Sequence, residues 1–332
     1  MNLTAIDIGY NFVKALSTNG RQCNFLSLIG TPVRETFSLA SAKSDKMIIE
    51  LADSTSWPVG NTAIRQSGQR PTGRRDAGWC LEQTWDILLC AALSELHQAS
   101  VETCIVTGLP LEDWQVWAEK LRKHLVADWH FRRNDGCWQT VTVKEAFVIT
   151  QPYGSLLNMA MNESGKILNN VYSTGMIGIA DMGGNTLNLL VADHLEEIGQ
   201  WTRGDGLGVL GALDDVAHMI CQQYPGITPQ AREVSSWLAV GEFPYQGEKH
   251  DIMPIAKPFL DPLLNRILDQ LAEVWREPGR FAAVLLTGGG ALALGPVLKE
   301  RMKGVYPKVE IAKDAQKANV YGYLKLARDM WG

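Results

Sequence analysis

The stretch Met176-Ile177-Gly178-Ile179-Ala180-Asp181-Met182-Gly183-Gly184 decides the fold of this chain. A run of apolar and small residues leads to an aspartate and then to two glycines, which is typical of a buried strand that ends in a tight turn. The following residues, Asn185 to Asp193, have the character of a strand that returns from this turn. The sequence therefore predicts a β-hairpin with a carboxylate beside its tip.

The same pattern opens the chain. Leu3-Thr4-Ala5-Ile6-Asp7-Ile8-Gly9 is another apolar run that meets an aspartate and a glycine, and a short strand-like segment follows it. The two aspartates lie about 170 residues apart, which is too far for a solenoid repeat but suits two similar domains. We predict an α/β protein in which domain I spans residues 1–160, with 312–332 returning to it, and domain II spans 161–311.

Composition sets the class of protein. A length of 332 residues suits two domains, and a chain that is 46% hydrophobic and 20% charged is neither disordered nor fibrous. The net charge of -5 gives no overall attraction to nucleic acid or to an anionic membrane. Six scattered cysteines without zinc spacing, and a start without a basic leader, lead us to expect a cytoplasmic chain.

The two turns have the chemistry of a phosphate and magnesium site. Backbone N–H groups in glycine turns can approach phosphates closely, and carboxylates at strand ends can hold hydrated Mg²⁺. Asp7 and Asp181 are the candidate metal ligands, although either turn alone could be a hairpin that happens to carry an acid. A third glycine segment, Gly288-Gly289-Gly290, follows an apolar strand, where a base or ribose could lie against bare backbone. Such turns also serve simple packing.

In order and spacing, these three segments resemble the ATPases of the actin, Hsp70 and sugar-kinase superfamily. Within it, the bacterial plasmid-segregation actins of the ParM/StbA type are most similar. Further segments support the resemblance: Leu109-Pro110-Leu111 after a strand, the glycine-rich run from Arg203 to Val209, and the closing segment from Ala318 to Leu324. The resemblance implies two actin-like (ribonuclease H-like) domains flanking a nucleotide cleft, each built on a mixed five-stranded sheet.

The resemblance also implies a set of site residues. Asp7 and Asp181 are expected to hold Mg²⁺ and, with Gln151, to serve catalysis. Gln151 would position the attacking water; a glutamine orients water but is a poor base, so slow hydrolysis is expected. It could equally be a turn residue before a proline. The expected nucleotide-binding residues are Gly9, Tyr10, Asn11, Lys14, Gly183, Gly184, Asn185, Thr186, Gly288, Gly289 and Gly290. Among them, Tyr10 and Asn11 depart from the small or hydroxyl residues of many relatives.

The implied function is ATP-dependent assembly. ATP or ADP with Mg²⁺ would bind between the domains, the chain would polymerise into a polar filament, and hydrolysis would control disassembly. Plasmid segregation through a DNA-binding adaptor is the implied purpose, without direct contact to nucleic acid or membrane. Alternatives on the same fold are a small-molecule kinase and a non-hydrolysing nucleotide-dependent scaffold. Arg65, Arg70, Arg74 and Arg75 form a basic cluster that could contact the adaptor, contact a neighbouring subunit or remain solvated.

Overall fold

The computed structural model describes residues 2–32, 46–66 and 78–332, so Arg70, Arg74 and Arg75 lie outside the described residues. The chain divides into two compact units. Unit 1 consists of Met1–Lys166 and Val320–Gly332, and unit 2 consists of Ile167–Asn319. Both units mix strands and helices, which confirms the predicted α/β class.

The elements of unit 1 come first along the chain. Its strands are β1 (Asn2–Ile8), β2 (Phe12–Ser17), β3 (Gln22–Leu26), β4 (Ile48–Leu51), β5 (Ser56–Pro58), β6 (Val101–Leu109), β7 (Asp128–Arg133) and β8 (Trp138–Thr150). Its helices are α1 (Asn61–Gln66), α2 (Gln83–Leu96), α3 (Leu111–Leu125) and α4 (Gln151–Ala160).

The elements of unit 2 follow. Its strands are β9 (Met176–Met182), β10 (Leu187–Asp193), β11 (Glu196–Glu197), β12 (Arg203–Asp205), β13 (Glu242–Tyr245), β14 (Glu248–Asp251), β15 (Ala283–Thr287) and β16 (Val309–Ile311). Its helices are α5 (Val171–Thr174), α6 (Leu210–Gln223), α7 (Ala231–Val240), α8 (Met253–Val274) and α9 (Gly290–Arg301). The last helix, α10 (Ala318–Trp331), begins in unit 2 and continues in unit 1.

In the sheet of unit 1, β1 is an interior strand. The strand order is β3-β2-β1-β6-β8-β7-β4-β5, with β1 antiparallel to β2 and parallel to β6. Alternate residues of β1 enter two different cores, as the two-residue period of a strand requires. Ile6 and Ile8 pack in the core that includes α2, whereas Leu3 and Ala5 pack in the core that includes α4 and α10.

The sheet of unit 2 repeats the pairing around its own central strand. Its order is β11-β10-β9-β15-β16, and β12 also pairs with β10. Strand β9 is antiparallel to β10 and parallel to β15, as β1 is to β2 and β6. Every residue of β9 is buried. Asp7 and Asp181 therefore lie near the carboxyl ends of central strands with the same neighbours.

The sheets are larger than predicted. Instead of five strands, the sheet of unit 1 has eight among the described residues, because β7, β4 and β5 continue it beyond β8. In unit 2 the short β12 adds a sixth strand to a path of five. Among the helices in the described part of the chain, none is long and apolar enough to cross a membrane.

Candidate functional site

In unit 1, Asp7 is held by two side chains from different elements. Its carboxylate is 2% exposed. Lys14 lies opposite Asp7 in the β1–β2 register, and its Nζ is 2.9 Å from Asp7 Oδ2. Gln151 at the start of α4 donates from Nε2 to Asp7 Oδ1 at 3.0 Å. A buried carboxylate needs such partners because its desolvation is costly. The structure thus brings Asp7, Lys14 and Gln151 together.

The turn after Asp7 is closed by one backbone hydrogen bond. The Gly9 N–H donates to the Phe12 carbonyl at 3.1 Å, and the Asn11 carbonyl accepts from the Ser27 N–H at 2.9 Å. The Tyr10 ring stacks on Trp79, with centroids 6.1 Å apart and planes 17° from parallel. Tyr10, the departure from the family pattern, therefore contributes an aromatic contact within unit 1.

Tyr323 of α10 supports the backbone of Gln151. Its hydroxyl donates to the Gln151 carbonyl at 3.3 Å, and the side chain is fully buried. A Cβ on Gly108 would lie 2.0 Å from this hydroxyl, so only glycine leaves room for it. Tyr323 lies in the closing segment but is not among the predicted site residues; the available signal is a tyrosine on the apolar face of a helix, whose hydroxyl requires a partner once buried.

A small pocket adjoins the same turn. Its lining includes Tyr10, Trp79, Pro110, Asp113 and Gln151. Burial raises the pKa of the Asp113 carboxyl, and the neighbouring Glu112 raises that pKa further. Sequence analysis singled out neither Trp79 nor Asp113, because one precedes a helix and the other resembles an ordinary acid in a first helical turn.

In unit 2, the Asp181 carboxylate accepts a hydrogen bond from a side-chain amide on one side and packs against backbone on the other. Asn319 donates from Nδ2 to Asp181 Oδ2 at 2.8 Å, and both residues are buried. On the other side, a Cβ on Gly288 would lie 2.3 Å from Asp181 Oδ1 and 2.6 Å from the Met182 carbonyl. Gly288 also has a φ of 83°, which favours glycine. The first glycine of the triplet thus allows the end of β15 to pack against Asp181.

The turn after Asp181 has the same closure as the turn in unit 1. The Gly183 N–H donates to the Thr186 carbonyl at 2.8 Å, and the Leu210 N–H at the start of α6 donates to the Gly184 carbonyl at 2.9 Å. A Cβ on Gly208 would lie 2.0 Å from that Gly184 carbonyl and 2.2 Å from the Cα of Asn185. The glycine-rich segment before α6 therefore packs on the turn backbone.

The glycine triplet serves packing at two of its three positions. Besides Gly288, Gly290 is confined, because its Cβ would lie 2.6 Å from Val209 Cγ1. A Cβ on Gly289 would meet nothing within 4 Å. The contact of these glycines with adenosine stays a prediction, and Gly289 is the position with room for it.

The binding of Mg²⁺ by Asp7 and Asp181 stays a prediction. Mg²⁺ prefers oxygen ligands, keeps several waters and is commonly held by one or two carboxylates plus substrate phosphates. Within residues 2–32, 46–66 and 78–332, no group of three or more His, Cys, Asp and Glu side chains could hold a metal. Taken singly, the Asp7 and Asp181 carboxylates are each of the ligand type that Mg²⁺ prefers.

The comparison with family profiles agrees with this repeated arrangement. A profile described as "Actin like proteins N terminal domain" matches residues 5–154, and one described as "Archaeal actin homologue MreB-like, C-terminal" matches residues 179–300. The chain belongs to the actin-like proteins. The resemblance seen in the sequence is thereby confirmed, as is the actin-like two-domain fold.

Solved structures similar to this actin-like protein cover almost its whole length. Ta0583, an archaeal actin homolog, has 20% identity and a TM-score of 0.81, with 99% of this chain and 100% of that chain covered. Its complex with ADP has 18% identity and a TM-score of 0.76 over 99% and 100% of the two chains.

ParM proteins are similar as well. The apo psk41 parM protein has 20% identity and a TM-score of 0.75 over 99% of this chain and 97% of that chain. A 15-stranded ParM filament from Clostridium botulinum has 20% identity and a TM-score of 0.77 over 99% of both chains. Identities of this size establish the fold. Among curated proteins, none matches the sequence.

Proposed function

We propose that this actin-like protein binds ATP with Mg²⁺, polymerises head to tail into a polar filament and hydrolyses ATP to control disassembly. The filament would arise from heterologous contacts, which propagate when they do not close into a ring. The bound nucleotide would engage both turns and so favour the conformation that assembles.

The repeated turn carries this proposal. Each unit has a buried aspartate two residues before a glycine, and in each turn that glycine donates its N–H to the carbonyl three residues later, at 3.1 Å for Gly9 and 2.8 Å for Gly183. An asparagine follows each glycine by two positions, Asn11 and Asn185. Each of these turns would offer one carboxylate for Mg²⁺ and a tight glycine backbone that phosphate oxygens can approach closely.

Each site residue has a role in this proposal. Asp7 and Asp181 would hold Mg²⁺, which neutralises charge on the phosphate oxygens when bound. Lys14, the partner of Asp7, is placed to compensate negative charge at the same turn. Gln151 uses its amide nitrogen on Asp7, so its amide oxygen can accept a hydrogen bond from the attacking water. A neutral amide does not remove a proton, which suits slow hydrolysis.

Plasmid segregation is the proposed purpose. The ParM proteins among the structural neighbours support a filament former, and the ADP complex of Ta0583 supports nucleotide binding. The net charge of -5 favours attachment to DNA through a basic adaptor protein over direct binding.

Assembly and turnover can be measured together. We would record light scattering and phosphate release after adding ATP and Mg²⁺ to the purified chain, and image the product by electron microscopy. The unaltered chain should scatter and release phosphate, whereas Asp181→Asn should release phosphate about 100-fold more slowly because the metal contribution is lost. The matched control is Asp269→Asn, an exposed acid on α8, which should behave as the unaltered chain.

The alternatives give different results. Phosphate transfer to a small-molecule acceptor without any rise in scattering would favour a kinase. Filaments that depend on ATP but release no phosphate would favour a scaffold. Unchanged turnover in Asp181→Asn would refute the metal role of Asp181.

A further inference from the structure

The segment before α10 is hydrogen-bonded to the end of β15. The Ala312 N–H donates to the Leu286 carbonyl at 2.9 Å. The Ala315 carbonyl accepts twice, from the Gly288 N–H at 3.1 Å and from the Thr287 hydroxyl at 3.3 Å. These bonds fix the point from which α10 starts, and they do so at the strand that pairs with Asp181.

Asn319 reaches Asp181 from this fixed start. It is the second residue of α10 and is 7% exposed, while Asp181 is 5% exposed. The Asn319 amide nitrogen lies 2.8 Å from Asp181 Oδ2. Gly288 packs so closely against Asp181 Oδ1 that a Cβ on this glycine would lie 2.3 Å from it. The carboxylate is thus contacted on both oxygens by parts of the same unit, so its rotation is restricted.

The amide is chemically suited to this task. A hydrogen bond to an ionised carboxylate stabilises the charged form and selects one orientation of the group. An apolar side chain of similar size would fill the space but would leave a buried charge with one donor fewer, which is costly.

We propose that Asn319 is a positioning residue for Asp181: it holds the carboxylate oriented for Mg²⁺, an inference that rests on the proposed function. Its contribution is made through Asp181, without contact to the metal or the nucleotide.

The test separates metal-dependent from metal-independent nucleotide binding. ADP affinity is measured by titration calorimetry in excess Mg²⁺ and again in EDTA, and the ratio of the two affinities gives the gain due to Mg²⁺. Asn319→Leu should reduce this gain by about 10-fold, the size of a lost hydrogen bond to a charged group. Asn319→Ser, which keeps a shorter donor, should show a smaller loss, and affinity in EDTA should change little in either variant.

Asn170→Ala is the control for a purely structural effect. Asn170 caps α5 in the same unit by accepting from the backbone of Tyr172 and Ser173, so its loss should lower thermal stability. The gain due to Mg²⁺ should stay intact in this control. An equal loss in Asn170→Ala, or an unchanged gain in Asn319→Leu, would overturn the inference.

Two further outcomes also test the inference. If Asn319→Leu does not fold, the serine variant decides alone: a reduced gain supports the inference, and a full gain overturns it. If the unaltered chain binds ADP without any gain from Mg²⁺, the proposed metal role fails and the inference falls with it.

Discussion

Asp7 and Asp181 occupy equivalent positions in two turns, yet different groups hold them. Asp7 is paired with the Lys14 ammonium and the Gln151 amide. Asp181 accepts from the Asn319 amide and is closed in by Gly288. The hairpin sets the position of each carboxylate, and the residues that orient it come from distant segments of the chain.

The packing of Gly288 gives a first prediction. Gly288→Ala would place a methyl group 2.3 Å from Asp181 Oδ1 at a φ of 83°, so β15 must separate from β9 or the carboxylate must turn. We expect a loss of about 2 kcal/mol or more in the free energy of unfolding, measured by urea denaturation. Gly289→Ala is the matched control, because its methyl group would meet nothing within 4 Å. Similar losses in the two variants would contradict this explanation.

His97 gives a second residue with a measurable consequence. It follows α2, is 2% exposed, and lies with Nε2 3.3 Å from the Thr4 hydroxyl. Within the described residues, its Nδ1 has no hydrogen-bond partner. Burial, together with the charge of Arg21, lowers the pKa of His97 to about 4. The unfolded chain therefore binds more protons than the folded chain between that value and 6.5.

Stability should consequently fall as the pH falls through this window. Between about pH 8 and about pH 5, protonation of His97 in the unfolded state should cost about 2 kcal/mol of folding free energy. His97→Gln keeps a donor for Thr4 but does not titrate. Between these pH values, the free energy of unfolding of this variant should therefore fall by about 2 kcal/mol less than that of the unaltered chain. Urea denaturation at both pH values measures the difference. Parallel pH profiles for the two proteins would show that His97 does not titrate as its burial implies.

At the scale of elements, the crossing of α4 and α10 depends on one glycine. A Cβ on Gly322 would lie 1.7 Å from the Gly154 carbonyl and 3.0 Å from the Asn158 nitrogen. The two helices therefore meet backbone to backbone. This contact explains the glycine in the closing segment that resembles the plasmid-segregation actins.

We expect Gly322→Ala to force these helices apart and to lower the free energy of unfolding by about 2 kcal/mol or more. Thermal unfolding should show a lower Tm. Gly211→Ala is the matched control, since Gly211 also lies in a helix but has open space around it. Alanine is the better helix former by about 1 kcal/mol, so the control should be unchanged or slightly more stable. A Tm that does not fall in Gly322→Ala would show that the helices adjust without cost.

The elements that sequence patterns predict best are those whose burial is continuous. The hairpins after Asp7 and Asp181 are present as predicted. An apolar strand that ends in a glycine turn favours an antiparallel return strand. Helical spacing from Trp114 to Trp129 predicts one helix, but α3 ends at Leu125 and β7 begins at Asp128. Strand β7 has only one buried residue and follows without a glycine or proline, so its pairing with β8 is decided by tertiary contacts.

At the scale of the whole molecule, the repeat predicts which residues form the strand ends but not which residues support them. Asn319 and Tyr323 are one helical turn apart on α10, and each hydrogen-bonds to a candidate site residue of its own unit. Both lie in the closing segment that resembles the plasmid-segregation actins, but the sequence of that segment does not show which site residues they contact. Their positions depend on where a helix more than 100 residues downstream of Asp181 is anchored, and periodicity carries no such information.

The last prediction concerns how hydrolysis and assembly are connected. In the proposed function, Gln151 orients the attacking water, whereas Asp7 and Asp181 hold the metal and nucleotide. Gln151→Ala should therefore retain ADP binding and ATP-dependent assembly but hydrolyse ATP about 100-fold more slowly, because the water is no longer aligned. Filaments should persist longer after ATP is depleted, which light scattering and phosphate release recorded together would detect. Gln139→Ala, which removes a half-buried glutamine of unit 1 that donates to the Gln98 carbonyl, is the control. If Gln151→Ala released phosphate as fast as the unaltered chain, Gln151 would be a structural residue at the start of α4, and another group would have to orient the water.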